Sequence, residues 1–143
     1  MKKSMLLIGL MVVGNSWAMT NFPVGNYHGK GYGIEQNGQE SHYLVEARVG
    51  ENKIESTYHF INGGTQKFTL AANFGKHGHF DVLSGSKKIG AGYCMSIWCH
   101  YTLKMGKNTV EETVTFFQNH LYRLGQKKIN GKLISWEEDL EQE

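Results

Sequence analysis

Proline and long apolar runs are the two features that this chain of 143 residues has least of. Pro23 is its one proline, and it precedes the first predicted strand, so no strand is interrupted by a residue that cannot donate a ladder hydrogen bond. Beyond the amino-terminal end, no apolar run approaches the roughly 20 residues that a membrane-spanning helix needs. The sequence therefore predicts no integral membrane span in the mature chain.

Catalytic signatures are also missing. The chain has no Gly-x-Ser-x-Gly, no phosphate loop and no His-Glu-x-x-His. Cys-x-x-Cys is absent as well, which argues against a redox enzyme. The glycine-rich run Gly29–Gly33 lacks the following helix that a dinucleotide site needs. We therefore predict a protein that is not an enzyme and that uses no cofactor.

The amino-terminal end has the three zones of a secretory signal peptide. Two lysines precede the short apolar run Met5–Gly14, and Ser16 and Ala18 are the small residues expected before a cleavage site. We expect a cleaved leader at 1–18 and a single mature domain at 19–143. This predicts a periplasmic or secreted protein, and an uncleaved membrane anchor is the alternative.

Net charge is lacking once the leader is removed. The whole chain has 15 lysine and arginine residues against 13 acidic ones, and the leader takes away two lysines, which leaves 13 of each. A neutral chain has no general attraction to phosphate backbones, so we predict no nucleic-acid partner. The acidic run Ser135–Glu143 is interpreted as a short solvated tail, with room for a helical turn or two after Trp136.

Apolar and polar residues alternate through most of the mature chain. Ser41–Val49 and Gln66–Phe74 place apolar side chains at every second residue, which is typical of a strand with one buried face. Asn-Gly pairs such as Asn130-Gly131 separate the strands and are the strongest short-range hairpin signal. The predicted strands span about Tyr27–Gln36, Ser41–Val49, Lys53–Ile61, Gln66–Phe74, Gly78–Leu83, Lys87–Cys94, Trp98–Lys104, Val110–Phe117, Leu121–Lys128 and Lys132–Glu137.

Short turns between consecutive strands predict an all-β fold, an antiparallel up-and-down meander. Closure removes exposed strand edges, so we expect the meander to close into an eight- to ten-stranded barrel. A barrel of this size either encloses a small ligand or is filled by side chains. A two-sheet sandwich and a smaller inhibitor-type barrel are the alternatives.

The opening of the first predicted strand, Gly25-Asn26-Tyr27-His28-Gly29-Lys30-Gly31, resembles the Gly-x-Trp-x-Gly-x-Gly motif of lipocalin-like (calycin) barrels, including their nitrobindin-like branch. Tyr27 stands at the Trp position. The resemblance implies a lipocalin-like barrel whose opening aromatic packs at the closed end under an arginine from a late strand. Arg123 is the candidate, and a turn near Asn119-His120 would set it opposite Phe116. No segment matches the histidine-bearing segment of the nitrobindin-like branch, so no haem site is implied.

Cys94 and Cys99 are the two cysteines of the chain. In an exported protein an even pair favours a disulfide. A four-residue turn, Met95–Trp98, would set them opposite each other on adjacent strands, where Cα atoms lie about 4.5–5.5 Å apart. A copper site that adds Met95 and His100, with Met105 as a further candidate ligand, is the alternative.

Two further clusters carry polar chemistry. His77 and His79 have a metal-like spacing, but no third ligand can be named, so we predict no metal site. Glu112 shares the apolar face of its strand with Val114 and Phe116, where a buried carboxylate is costly without a partner. We expect Glu112 near the open mouth of the barrel, and a place in a binding site is the alternative.

These observations lead to three functional hypotheses. The first is an exported barrel that binds a small apolar or amphipathic ligand through apolar walls and a few fixed polar groups. Its inward-facing candidate residues are Tyr27, Tyr58, Phe60, Phe68, Phe80, Phe116, Arg123 and Trp136. The second is a protein–protein inhibitor or interaction module of the cell envelope, in which Met95, Ile97 and Trp98 of the disulfide loop meet a protein partner. The third, an enzyme inside the barrel, has no motif in its favour.

Overall fold

Ten antiparallel strands form a closed barrel in the computed structural model, which describes residues 18–143. The strands are β1 (Gly25–Glu35), β2 (Glu40–Gly50), β3 (Lys53–Phe60), β4 (Thr65–Phe74), β5 (His79–Ser84), β6 (Lys87–Met95), β7 (Trp98–Met105), β8 (Asn108–Phe117), β9 (His120–Ile129) and β10 (Lys132–Gln142). Each strand pairs with its neighbours in the chain, and β1 also pairs with β10. The predicted all-β, up-and-down barrel is confirmed.

Helical structure within residues 18–143 is limited to the 3-10 turn Lys76–Gly78. Accordingly, this part of the chain has no helix with the length and apolar character to cross a membrane. The predicted leader, 1–18, lies outside the described residues apart from Ala18.

The acidic carboxyl-terminal run is part of the barrel, which corrects the expectation of a solvated tail. β10 continues to Gln142 and pairs along its length with β1 and β9. Its acidic residues largely alternate with inward ones, so Glu137, Asp139 and Glu141 face water while Glu138 and Leu140 are buried. By pairing with both β1 and β9, this run closes the sheet and leaves neither of those strands with an unpaired edge.

The period-two pattern places the apolar core inside the barrel. Val45, Ala47 and Val49 of β2 are buried, while the residues between them are exposed. Tight turns join the strands, and at Asn130-Gly131 both residues have positive φ, 50° and 82°, as a type I′ hairpin requires.

The two ends of the barrel differ. At the closed end, Phe22 is fully buried and packs against Phe74, Phe80 and Phe116, with ring centroids 5.1, 5.9 and 6.5 Å away. Its backbone N–H donates to the carbonyl of Glu51 at 2.8 Å, which ties this segment to the turn between β2 and β3. The other end carries the turns after β1, β3, β5, β7 and β9 and is open.

The disulfide prediction is confirmed: Cys94 of β6 and Cys99 of β7 are bonded and directly opposite each other, with Cα atoms 4.0 Å apart. The connecting turn is shorter than expected, because β6 continues to Met95 and β7 begins at Trp98. Both sulfurs belong to buried residues of the closed end. Their bonding also removes the thiolates that the alternative copper site would need.

The register between β8 and β9 differs from the expected one by two residues. The turn is centred on Gln118 and Asn119, both with positive φ, so Arg123 lies opposite Val114 and Phe116 lies opposite Leu121. A shift of two residues leaves a side chain on the same face of a strand, so Arg123 still points into the barrel.

Candidate ligand-binding site

A cavity of about 450 Å³ opens at the end of the barrel opposite Phe22. Its walls include the rings of Tyr58, Phe60, Phe68 and Trp136. The volume falls in the range of roughly 300–1,000 Å³ that small-molecule sites occupy. The barrel interior is therefore filled by side chains at one end only.

Polar side chains also line the cavity. Glu35, Gln66, Lys67 and Lys127 come from strand regions near the open end and carry charges of both signs. Deeper in the barrel lies a polar floor, which we define as Tyr43, Ser56, Tyr58, Tyr101, Glu112, Arg123, Trp136 and Glu138. A ligand in the cavity would thus meet solvated charges at the rim and desolvated hydrogen-bonding groups at the floor.

Two inward-facing glycines make room for the aromatic side chains of the site. A Cβ at Gly31 would overlap the ring of Tyr43, and a Cβ at Gly125 would overlap the indole of Trp136. Each glycine is also the register partner of the residue it accommodates. Glycine in these strands therefore marks a close approach of a ring to the backbone.

Glu112 of β8 is the centre of the polar floor and is 1% exposed. Its Oε1 accepts from Arg123 Nε at 3.1 Å, from Arg123 Nη2 at 3.0 Å and from the Tyr101 hydroxyl at 3.0 Å. Its Oε2 accepts from Trp136 Nε1 at 2.8 Å. These four donors satisfy a buried carboxylate. The expected place at the mouth is wrong, and the alternative, a group of the candidate site, fits the geometry.

Arg123 of β9 joins three other strands at the floor. Besides Glu112 on β8, its Nη1 donates to Ser56 Oγ at 2.9 Å and to the Tyr58 hydroxyl at 3.1 Å, both on β3. The same Nη1 lies 3.1 Å from Glu138 Oε2 on β10. Burial lowers the pKa of Arg123, but Glu112, with Glu138 and the two nearby tyrosines, together outweigh burial and hold the pKa well above the usual range.

Glu138 of β10 is the second buried carboxyl group of the floor. Its Oε1 accepts from the Tyr43 hydroxyl at 3.2 Å. Its Oε2 receives no hydrogen bond from the described residues. The reason is that Arg123 Nη1 has two hydrogens, which point to Ser56 and Tyr58. Burial raises the pKa of Glu138, although the charge of Arg123 acts in the opposite direction.

Three tyrosine hydroxyls complete the floor. Burial raises the pKa of Tyr43, Tyr58 and Tyr101, and the nearby carboxyl groups raise it further. These hydroxyls therefore keep their protons at neutral pH and act as hydrogen-bond donors and acceptors. The floor offers fixed polar groups, which is what orients a ligand in an otherwise apolar pocket.

Five of the eight predicted ligand-binding residues line the cavity: Tyr58, Phe60, Phe68, Arg123 and Trp136. The other three, Tyr27, Phe80 and Phe116, are buried at the closed end instead. Phe80 packs against Phe22, and Tyr27 packs against Phe116 with ring centroids 6.4 Å apart. Strand alternation predicts that a side chain points inward, but it does not say at which end of the barrel the side chain lies. This is why the predicted set includes three residues that lie away from the cavity.

The positions of Tyr27 and Arg123 agree only in part with the resemblance to calycin barrels. Tyr27 does pack at the closed end, but the hydrogen bonds of Arg123 go to Ser56, Tyr58 and Glu112 rather than to the opening aromatic. The arginine therefore belongs to the cavity floor.

Sequence reasoning missed Tyr43, Tyr101 and Glu138 as site residues. Tyr43 and Tyr101 lie within the predicted strands Ser41–Val49 and Trp98–Lys104, but no functional role is predicted for either. Glu138 was hidden because its strand was expected to end one residue earlier. The alternation of Ile134, Trp136, Glu138 and Leu140 was the signal that could have identified it.

The predicted interaction loop lies at the closed end, away from the cavity. Met95 is 47% exposed and Ile97 is 41% exposed. Trp98 is half-buried and packs edge-on against Tyr93 with ring centroids 5.5 Å apart. The loop thus presents two of its three predicted apolar residues.

Metal-ligand clusters are not found in residues 18–143: no group of three or more histidine, cysteine, aspartate or glutamate side chains is arranged to hold an ion. The ring of His79 is tilted at 47° to that of Tyr93 with centroids 6.3 Å apart, and Asp81 forms an ion pair with Lys88 at 2.7 Å.

Comparison with solved structures shows the same fold elsewhere. Similar chains include a protein of unknown function from the DUF3598 family of Nostoc punctiforme PCC 73102, with 12% identity and a TM-score of 0.62. They also include the S-type phycobiliprotein lyase CpeS of Guillardia theta, with 11% identity and a TM-score of 0.55. The first match covers 87% of this chain and 50% of the other, so this chain spans about half the length of that protein. The second covers 84% of this chain and 88% of the lyase.

No protein-family profile matches this chain, and no curated protein matches it significantly. At such low identity the two structural similarities establish the fold alone. Together with the closed ten-stranded antiparallel barrel, they fit a lipocalin-like calycin fold.

Proposed function

We propose that this protein binds a small amphipathic molecule in the open end of its barrel. The observation that carries the proposal is the cavity of about 450 Å³, with aromatic walls above a floor of buried hydrogen-bonding groups. Apolar walls provide affinity, and a few fixed polar groups provide orientation. A phycobiliprotein lyase with the same fold adds support for ligand binding in such a barrel.

Titration with the fluorescent probe N-phenyl-1-naphthylamine tests this proposal. We expect saturable binding with one site per chain and a blue-shifted emission, since the probe would leave water for aromatic walls. The matched variants are Val110→Phe, which fills the cavity wall, and Val24→Phe, which makes the same change at a residue that is 64% exposed.

Val110→Phe should weaken probe binding by about tenfold or more, since it occupies space that the probe needs. Val24→Phe should leave binding unchanged. Absence of saturable binding by the wild type, or equal affinity for both variants, would refute the carrier proposal. Thermal unfolding of both variants checks that each remains folded.

Export is part of the same proposal, and the disulfide supports it, because such bonds persist in oxidising compartments. We propose that residues 1–18 are removed and that the protein works in the periplasm or outside the cell, binding its ligand without turning it over. Intact-mass measurement of protein recovered from the producing cell tests this. Retention of residues 1–18 in the mature protein would contradict export by cleavage.

An interaction module is the second candidate function, favoured by exposed apolar side chains at the closed end. Ile97 accepts a backbone hydrogen bond from Phe116 at 2.7 Å, which places it beside the end of β8, where Phe117 is 49% exposed. Clustered exposed apolar residues are typical of protein contacts. Pull-down from an envelope extract with the wild type and with Ile97→Ser tests this surface. A specific partner that the wild type captures should be lost with Ile97→Ser. A partner retained equally by both would exclude this surface.

A further inference from the structure

Buried charge is unbalanced at the floor of the cavity. Among residues 18–143 the buried charged side chains are Glu112, Glu138 and Arg123, which are 1%, 5% and 3% exposed. Two carboxyl groups therefore share one guanidinium. When both carboxyl groups are ionised the floor carries a net negative charge, which is unfavourable in a desolvated site unless a proton or a further positive charge is supplied.

The imbalance falls on one atom. Glu112 is satisfied by four donors, three on Oε1 and one on Oε2. Glu138 receives one hydrogen bond, from Tyr43 to Oε1. Its Oε2 lies 3.1 Å from Arg123 Nη1 as an ion pair but accepts no hydrogen bond from the described residues. The side chain of Glu138 is 1% exposed and is part of the cavity lining. An oxygen buried to this degree without a donor is costly in the protein alone.

We propose that the ligand of this barrel is an amphipathic amine, whose protonated nitrogen donates a hydrogen bond to Oε2 of Glu138 while its apolar body lies against the aromatic walls. This inference rests on the proposed ligand-binding function and specifies the ligand class. An ammonium group would supply both the donor that Glu138 lacks and the positive charge that the floor lacks. Hydrogen bonds between charged groups are the stronger kind.

The aromatic side chains around Glu138 favour the same class of ligand. Tyr43 and Tyr58 have ring centroids 5.6 Å apart, and Tyr43 and Phe60 are 5.3 Å apart, so several rings lie close together beside the floor. The faces of aromatic rings attract organic cations, and most strongly where water is excluded.

The lysines of the cavity do not oppose this assignment. Lys67 is exposed and Lys127 is half-buried, and both belong to the rim, where Glu35 carries the opposite charge. Charges in contact with water are screened, whereas those of the floor are not. The sign of the floor therefore decides which charged group can enter deeply.

Competition with the bound fluorescent probe tests the assignment with three ligands of one chain length: decylamine, decanol and decanoate, each below its micelle-forming concentration at pH 7. We expect decylamine to bind about tenfold or more tightly than decanol, as a charged hydrogen bond in place of a neutral one implies. Decanol measures the contribution of the apolar walls alone.

Glu138→Gln should remove the preference, so that decylamine binds no more tightly than decanol. Glu137→Gln is the matched control: it lies next to Glu138 on β10 but faces water, and it should keep the preference. If Glu138→Gln fails to fold, the wild-type comparison of decylamine with decanol still decides the question.

The outcomes separate this inference from the function it rests on. If the probe binds and decanol equals decylamine, or decanoate binds more tightly than decylamine, the amine assignment is wrong and ligand binding stands. A preference for decylamine that persists in Glu138→Gln also overturns the assignment of Glu138. If neither the probe nor any of the three ligands binds, the proposed function itself fails.

Discussion

The closed and open ends of this barrel are built from the same alternating strands but have different interiors. At the closed end, Phe22, Phe74, Phe80 and Phe116 pack as a cluster of rings beside the disulfide. Toward the open end the inward positions hold charged and hydroxyl groups below a cavity. Apolar packing contributes to folding stability, whereas buried ion pairs contribute little net stability. The difference indicates that the closed end is built as an apolar core, whereas the open end encloses a cavity above buried polar groups.

Replacing Arg123 with methionine should produce the largest effect and would test the floor most directly. Glu112 and Glu138 would lose their guanidinium, so we expect the free energy of unfolding at neutral pH to fall by about 3–5 kcal/mol. Urea denaturation measures the change. Arg48→Met, at an exposed residue of β2, is the control and should cost less than about 0.5 kcal/mol. Equal losses would mean that the floor is no more sensitive than the surface.

Phe22→Ala tests the closed end and should lower the free energy of unfolding by about 3 kcal/mol, because it leaves a space between three rings. Its effect on probe affinity should be small, since Phe22 lies at the other end from the cavity. Phe117→Ala, at a half-exposed phenylalanine, is the control and should cost less than about 1 kcal/mol. A large loss of probe affinity in Phe22→Ala would show that the two ends are not separable.

The double change of Cys94 and Cys99 to alanine should cost about 2 kcal/mol, the value that loop-closure entropy gives for so short a loop. We expect no change in probe affinity, because both residues are in the closed half. Denaturation of the variant beside the wild type, each with and without reductant, measures the effect. If reductant destabilises the variant as much as the wild type, the effect does not come from this bond.

The smallest effect concerns pH and distinguishes the floor from the surface. Because burial raises the pKa of Glu138 above its usual value of 4.5, the folded state binds this proton more tightly than the unfolded state. The contribution of Glu138 is therefore most favourable at or below pH 4.5 and is lost as pH rises through its folded pKa. The slope cannot exceed about 1.4 kcal/mol per pH unit.

Urea denaturation of the wild type and of Glu138→Gln, from pH 4.5 upward, isolates the contribution of Glu138 to the free energy of unfolding. The groups that face Glu138 are Arg123 from β9, Tyr43 from β2, Tyr58 from β3 and Glu112 from β8, and they are common to both proteins. The stability of the wild type relative to the variant should fall with rising pH. A relative stability that rises with pH would have the wrong sign for a raised pKa.

The strand pattern predicted most of this fold because local signals agreed along the chain. Period-two alternation, Asn-Gly turns and the spacing of the cysteines each act over a few residues, and each was correct in kind. β10 was the exception, because its acidic residues on the outer face concealed the inward alternation of Glu138 and Leu140.

The site was predicted less completely because it depends on contacts far apart in the chain. Arg123 meets Ser56 and Tyr58 across more than sixty residues of sequence. The predicted set mixed residues of the two ends, since alternation fixes the face of a strand but not the depth of a side chain. The partner of Glu112 was likewise undefined until the register of β8 and β9 was known.

The pairing of β1 with β10 has a consequence for how the protein is made. The ribosome makes β1 before the other strands and β10 after them, so the seam cannot form until β10 has been synthesised. Until then the edges of β1 and β9 are available to any other extended chain. Polypeptides that stop before Lys132 should therefore associate with one another, and a chaperone that shields nascent edges should raise the yield of full-length protein.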